Sequence, residues 1–129
     1  MSSAQTALVV DDDESLVHII ALILRSQGFE VQTAHNGVDG CCAYFRNPTD
    51  WVVSDIQMPR LDGLGMVECI RTHNPCVKII YMSGEPEKFR WELQREAQDF
   101  GARILVKPFS KDRLIKEMSE PLAADSRSM

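Results

Sequence analysis

The chain has 129 residues, a length that suits one domain with one core, and its 44% hydrophobic and 26% charged residues are the proportions of a folded globule. A formal net charge of −5 argues against a generic nucleic-acid binder, which carries a basic patch or stripe. No apolar run approaches the roughly 20 residues of a membrane-spanning helix, and the opening MSSAQTALVVDDD lacks the basic start and apolar stretch of a signal peptide.

In chain order, short apolar runs alternate with helical patterns. TALVV, Thr6 to Val10, is the first run, followed by the weaker VQTA, Val31 to Ala34. WVVS (Trp51 to Ser54), VKIIYM (Val77 to Met82) and RILV (Arg103 to Val106) repeat the type. Such runs, bounded by turn residues, predict buried parallel strands. Asp13 and Glu14 favour the start of a first helix, whose mainly apolar stripe is read as Leu16, Ile20, Ile23 and Gln27, with Ile19 and Leu24 beside them, closed by Gly28. A second helix runs from Asn36-Gly37 to about Phe45, weakened by Gly40 and stopped by Asn47-Pro48. A third, Gly63 to His73, carries Met66, Val67 and Ile70 on one side. A fourth, Glu87 to Phe100, carries Phe89, Leu93, Ala97 and Phe100, with Trp91 on the opposite side. Ser110 caps a last helix from Lys111 to about Met118, and the tail EPLAADSRSM is small and polar. Strand-helix alternation of this kind gives an α/β domain, a doubly wound parallel sheet covered on both faces.

One strand raises a question. WVVSDIQMPRLDG is an apolar run that ends on a carboxylate, Asp55, and burying a carboxylate is costly unless something pairs with it. The other strand ends supply partners: Asp11, Asp12 and Asp13 follow the first, Ser83 and Gly84 the fourth, and Lys107 and Pro108 the fifth. In open α/β sheets, sites form outside the carboxyl ends of the strands. Asp11, Asp12 and Asp55 would repel one another there, and a hard divalent cation such as Mg²⁺ removes that repulsion. Carboxylates, a metal, an ammonium and a hydroxyl together suit a phosphoryl group, with Asp55 as the attacking nucleophile.

The other polar residues have plainer readings. Asp62-Gly63 is a turn and cap before the third helix, and Met58-Pro59 shapes the loop after Asp55. His18, His35 and His73 are scattered and read as ordinary polar positions. Cys41, Cys42, Cys69 and Cys76 form no C-x-x-C pair and read as reduced thiols rather than a zinc site.

The motifs LVVDDDE (Leu8 to Glu14), SDIQMPRLDG (Ser54 to Gly63), YMSGE (Tyr81 to Glu85) and LVKPF (Leu105 to Phe109) occur in one order at compatible spacing. In these the chain resembles a receiver domain of a two-component response regulator, from about Ala7 to Met118. The resemblance implies a flavodoxin-like (βα)5 fold with strand order 2-1-3-4-5. It implies a receiver over residues 6–120, between a short extension at 1–5 and a flexible tail at 121–129. It makes Asp55 the phosphoacceptor. Asp12, Asp55 and the Gln57 backbone carbonyl become Mg²⁺ ligands, with Asp11 behind them or joined through water. Lys107 would pair with the phosphoryl oxygens, and Ser83 would hydrogen-bond them and move toward them. The Lys107-Pro108 bond would be cis. Expected partners are a histidine kinase or histidine phosphotransfer protein and a downstream effector protein, in the cytoplasm, with no direct DNA binding. The only reactions expected are its own phosphorylation and dephosphorylation.

The chain departs from the family at Ile104, where members often carry Tyr or Phe as a partner to the Ser/Thr switch. Output must then use the surface of the fourth helix, fifth strand and fifth helix differently, and Trp91 and Ile104 are the candidate partner contacts. Competing readings are a receiver-like scaffold acting without phosphorylation and a small phosphatase of the haloacid-dehalogenase type using Asp11-x-Asp13. A flavin or nucleotide binder on the same fold lacks a Gly/Ser-rich phosphate loop.

Overall fold

A computed structural model of the chain describes residues 4–119. The expected extension lies mostly, and the expected tail wholly, outside the described residues. Five strands, β1 (Thr6–Val10), β2 (Glu30–Ala34), β3 (Trp51–Asp55), β4 (Lys78–Ser83) and β5 (Arg103–Val106), form one sheet in the order β2-β1-β3-β4-β5. Every pairing is parallel. The helices are α1 (Glu14–Ser26), α2 (Gly37–Arg46), α3 (Gly63–Arg71), α4 (Arg90–Phe100) and α5 (Lys111–Ser119).

Strand side chains alternate between the two faces, which divides the core in two. Leu8, Val10, Val52, Ile79 and Tyr81 pack with Tyr44 of α2, Met66, Val67 and Ile70 of α3, and Leu93 of α4. Ala7, Val9, Val53, Ile80, Met82 and Leu105 pack with Val17, Ile20 and Leu24 of α1, and Leu114 and Met118 of α5. β3 lies at the centre and is buried along its whole length. Each large apolar side chain buried there contributes about 1.5–3 kcal/mol, which offsets the cost of carrying Asp55 at its end.

Helix starts follow local chemistry. Asp13 accepts from the Leu16 amide (3.2 Å), Asn36 from Asp39 (2.8 Å), Asp62 from Gly65 (2.8 Å) and Ser110 from Arg113 (3.0 Å). Each satisfies an amide that the helix itself cannot.

The structure corrects several expectations. The buried face of α1 is Val17, Ile20, Ala21 and Leu24, while Ile19 is exposed; Ala21 and Val17 set the phase that larger residues obscured. α2, by contrast, runs through Gly40 to Arg46 much as expected, and the glycine leaves room for the Met66 side chain, whose sulfur a Cβ there would crowd. α3 ends at Arg71 rather than His73. The segment before α4 is a 3-10 turn, Pro86–Phe89, and the α-helix begins only at Arg90. Phe100 is exposed, its ring 3.5 Å from the Arg71 guanidinium, and so leaves the apolar stripe. Trp91 is 70% exposed, with the Arg90 guanidinium 4.8 Å from its ring centre.

Candidate functional site

The sheet order reverses at β1, whose neighbours β2 and β3 leave in opposite directions, and the carboxyl ends of β1 and β3 frame the crevice between them. Asp11 and Asp12 follow β1 directly, and Asp55 is the last residue of β3. One carboxylate oxygen from each of Asp11, Asp12 and Asp55 lies within 4.8 Å of the others. Asp11 is 1% exposed and Asp55 9%, whereas Asp12 is open to solvent. Such oxygen-only donors at that spacing fit a hard cation of the Mg²⁺ type, which takes one or two carboxylates and retains waters.

Lys107, the residue after β5, enters the same crevice. Its Nζ is 2.7 Å from Asp11 Oδ2 and 3.4 Å from Asp55 Oδ1. The Lys107-Pro108 bond is cis. Burial alone would lower the lysine pKa, but the Asp11 and Asp55 carboxylates outweigh it and hold the ammonium protonated, above its ordinary range. Asp55 moves up from the usual carboxylate range. Burial is the main cause and the Asp11 charge the next, with Lys107 and the Ile56 amide pulling the other way. The pocket therefore holds more negative charge than its lysine neutralises.

Ser83 closes β4 and is buried, with its Oγ accepting from the Glu85 amide at 3.0 Å. The Lys107 amide donates to the Ser83 carbonyl at 2.8 Å, which ties the ends of β4 and β5 together. Gln57 lies two residues beyond Asp55, in the loop before α3. Trp91 on α4 and Ile104 on β5 stand away from this crevice, and Ile104 packs, half-buried, against the α2–α4 face of the core.

Three further residues shape the site. The Ser54 hydroxyl donates to the Asp55 carbonyl at 2.8 Å. Gly63 packs so closely that a methyl group on it would run into that same carbonyl oxygen, while its own amide donates to the Ile56 carbonyl at 2.8 Å. His35, just after β2, places Nδ1 3.3 Å from the Asp11 carbonyl oxygen, so the end of β2 also contributes a polar residue. Only Gly63 left a trace in the sequence, and an Asp-Gly pair looks the same in any turn.

This architecture recurs in known proteins. The family model for the response regulator receiver domain matches residues 7–119. The transcriptional regulatory protein ZraR of Klebsiella oxytoca is 34% identical over 117 residues, 90% of this chain and 26% of that protein. The chain thus spans about a quarter of the length of the curated relatives it matches, 26% of ZraR and 23% of an NtrX-like response regulator of Rickettsia bellii. The chemotaxis response regulator CheY4 of Vibrio cholerae superposes with a TM-score of 0.78 at 28% identity, covering 90% of this chain and 97% of that one. The response regulator TrrA of Thermotoga maritima, solved with Mg²⁺ and BeF, gives 0.76 at 29% identity over 88% of this chain and 96% of that one. Since the match runs from β1 to the end of α5 and the crevice occupies the edge that the motifs marked out, the chain belongs to the response regulator receiver domain family.

Proposed function

We propose that the domain is a signalling switch that accepts a phosphoryl group on Asp55. One observation carries this reading: three carboxylates converge on an ammonium at the switch point of the sheet. In the reaction an Asp55 carboxylate oxygen attacks the donor phosphorus in line. A new O–P bond forms as the bond to the leaving group breaks, and the leaving group carries away the electron pair. Lys107 would exchange part of its contact with Asp11 for a phosphoryl oxygen, and the Ser83 hydroxyl would donate to another. Asp12, Asp55 and the Gln57 carbonyl would hold Mg²⁺, with Asp11 behind them. The cation supplies charge neutralisation for the transferring group. The TrrA relative, solved with Mg²⁺ and BeF, supports that choice of metal. A histidine kinase or phosphotransfer protein is the expected donor. An effector would read the α4-β5-α5 surface, including Trp91 and Ile104.

A second reading, a scaffold that works without phosphorylation, draws on Ile104, which lacks the hydroxyl and ring of an aromatic switch residue. Intact mass after incubation with Mg²⁺ and acetyl phosphate separates the two. Gain of one phosphoryl group that needs both Mg²⁺ and Asp55, and is absent from Asp55→Asn, supports the switch. No gain, together with no Mg²⁺ binding, supports the scaffold.

A further inference from the structure

α4 is held differently from the other helices. It starts without a side-chain cap, and Leu93 is its single fully buried residue. Its polar attachment is Glu96. The buried Tyr81 hydroxyl donates to Glu96 Oε1 at 2.7 Å, and Arg71 of α3 donates from Nη1 to Glu96 Oε2 at 2.9 Å. Arg71 Nη2 lies 2.7 Å from Glu96 Oε1, and the two side chains are only 10% and 14% exposed. Phe100, one turn further along α4, covers the other side of the guanidinium. Arg71 Nε has no hydrogen-bond partner among the described residues, and Glu96 is the carboxylate that neutralises this nearly buried charge. Burial and Glu96 push the Tyr81 phenol far above its ordinary range, so it stays a hydroxyl donor.

The place of Tyr81 gives this cluster its meaning. Tyr81 and Ser83 are two apart on β4 and face the same side of the sheet. Ser83 Oγ holds the Glu85 amide, where the chain turns toward α4. Tyr81 Oη holds Glu96 in the middle of α4. One strand therefore grips the Glu85–Phe100 segment at two points, one in the pocket and one in the core. A movement of Ser83 toward a loaded Asp55, as the switch reading expects, would pull on the first, and the second would resist it.

We propose that Tyr81, Glu96 and Arg71 form a latch that holds α4 in its unphosphorylated position and thereby opposes loading of the Asp55 pocket. The inference rests on the switch reading above and adds to it the element that sets the energy of the switch. Coupling between sites is reciprocal: if loading the pocket loosens the latch, loosening the latch favours loading. Tyr81→Phe keeps the ring in the core and removes only the hydroxyl.

The test compares wild type with Tyr81→Phe by titration with beryllofluoride in Mg²⁺ and by hydrogen exchange of α4 amides. The latch requires beryllofluoride to bind Tyr81→Phe at least about fivefold more tightly, the lower end of ordinary allosteric coupling, with faster exchange in α4. Faster exchange with unchanged affinity would make the cluster purely structural and overturn the latch. Weaker binding would place the latch in the loaded state and overturn it as well. Failure of wild type to bind beryllofluoride or to accept a phosphoryl group from acetyl phosphate would remove the switch reading itself, and the latch with it.

Discussion

The Lys107 ammonium leans on Asp11, at 2.7 Å, rather than on Asp55, at 3.4 Å. The cation thus neutralises the most buried acid of the crevice and leaves the strand-end acid the more available for chemistry. Removing it exposes the cost of that arrangement. Lys107→Met takes the countercharge from the buried Asp11 carboxylate, which keeps the Asp13 amide on its Oδ1 at 3.0 Å, and is expected to cost about 2–3 kcal/mol in urea unfolding without metal. That is less than the ~3–5 kcal/mol of a fully buried pair, because the lysine is partly solvated. Mg²⁺ restores part of the loss and binds the variant more tightly, since one competing cation is gone. A titration followed by unfolding midpoint checks both.

The raised pKa of Asp55 makes a second prediction. A carboxyl whose folded pKa lies above its unfolded value binds its proton more readily when folded. Its contribution to stability is full at low pH and lost as pH rises from the ordinary 3.8 through the folded value. Above that window the ionised carboxylate destabilises the metal-free fold. Asp55→Asn is therefore expected to melt higher than wild type at neutral pH without Mg²⁺. The gap should close as the pH falls below the window, and it should also narrow when Mg²⁺ is added to wild type. Melting curves at several pH values, with and without metal, measure this.

Two glycines near the pocket should differ in their response to a single methyl. Gly63 abuts the Asp55 carbonyl, so Gly63→Ala forces backbone apart and is expected to cost about 2–3 kcal/mol, the upper part of the overpacking range. Gly84 has nothing within 4 Å of the added carbon, and Gly84→Ala should stay within about 0.5 kcal/mol. Urea unfolding of the pair, one control for the other, tests the packing.

Trp91 is a surface residue of α4, and Trp91→Ala should leave stability within about 0.5 kcal/mol and phosphorylation by acetyl phosphate unchanged. If the α4 surface engages an effector, the same substitution weakens that binding by about 1 kcal/mol or more. An unchanged affinity for an identified effector would remove Trp91 from the interface.

The cysteines should separate by reactivity. Burial first, then the hydrogen bond with Cys69, pushes the Cys41 thiol up to about 12. Cys42 and Cys76 are exposed. Alkylation at pH 8 is expected to label Cys42 and Cys76 well before Cys41, because the thiolate is the reacting form. Peptide mapping over a time course reads the order.

The alternation of strand and helix, the caps at Asp13, Asn36, Asp62 and Ser110, and the polar residues at the ends of β1, β3, β4 and β5 were legible in the sequence. All are local: a cap needs a side chain within three residues, and a strand end is marked by its own change from apolar to polar. Asp11, Asp12, Asp55 and Lys107 could be placed at one edge because a parallel sheet delivers every strand end to the same side.

What the sequence did not disclose depends on distance between segments. The buried face of α1 was misjudged because Val17 and Ala21, small and unremarkable in a list, are the residues that fit against the sheet. Gly40 and Gly63 looked like a helix weakness and a turn, yet Gly40 makes room for the Met66 side chain and Gly63 marks where the Asp55 backbone passes too close for a side chain. Tyr81, Arg71 and Glu96 lie on three different elements, and none has a partner within its own helix or strand. Sequence by itself determined that Asp11, Asp12, Asp55, Ser83 and Lys107 stand at strand ends on one edge of the sheet. Tertiary packing decided which acid Lys107 leans on and what holds α4, because both depend on contacts between segments far apart in the chain.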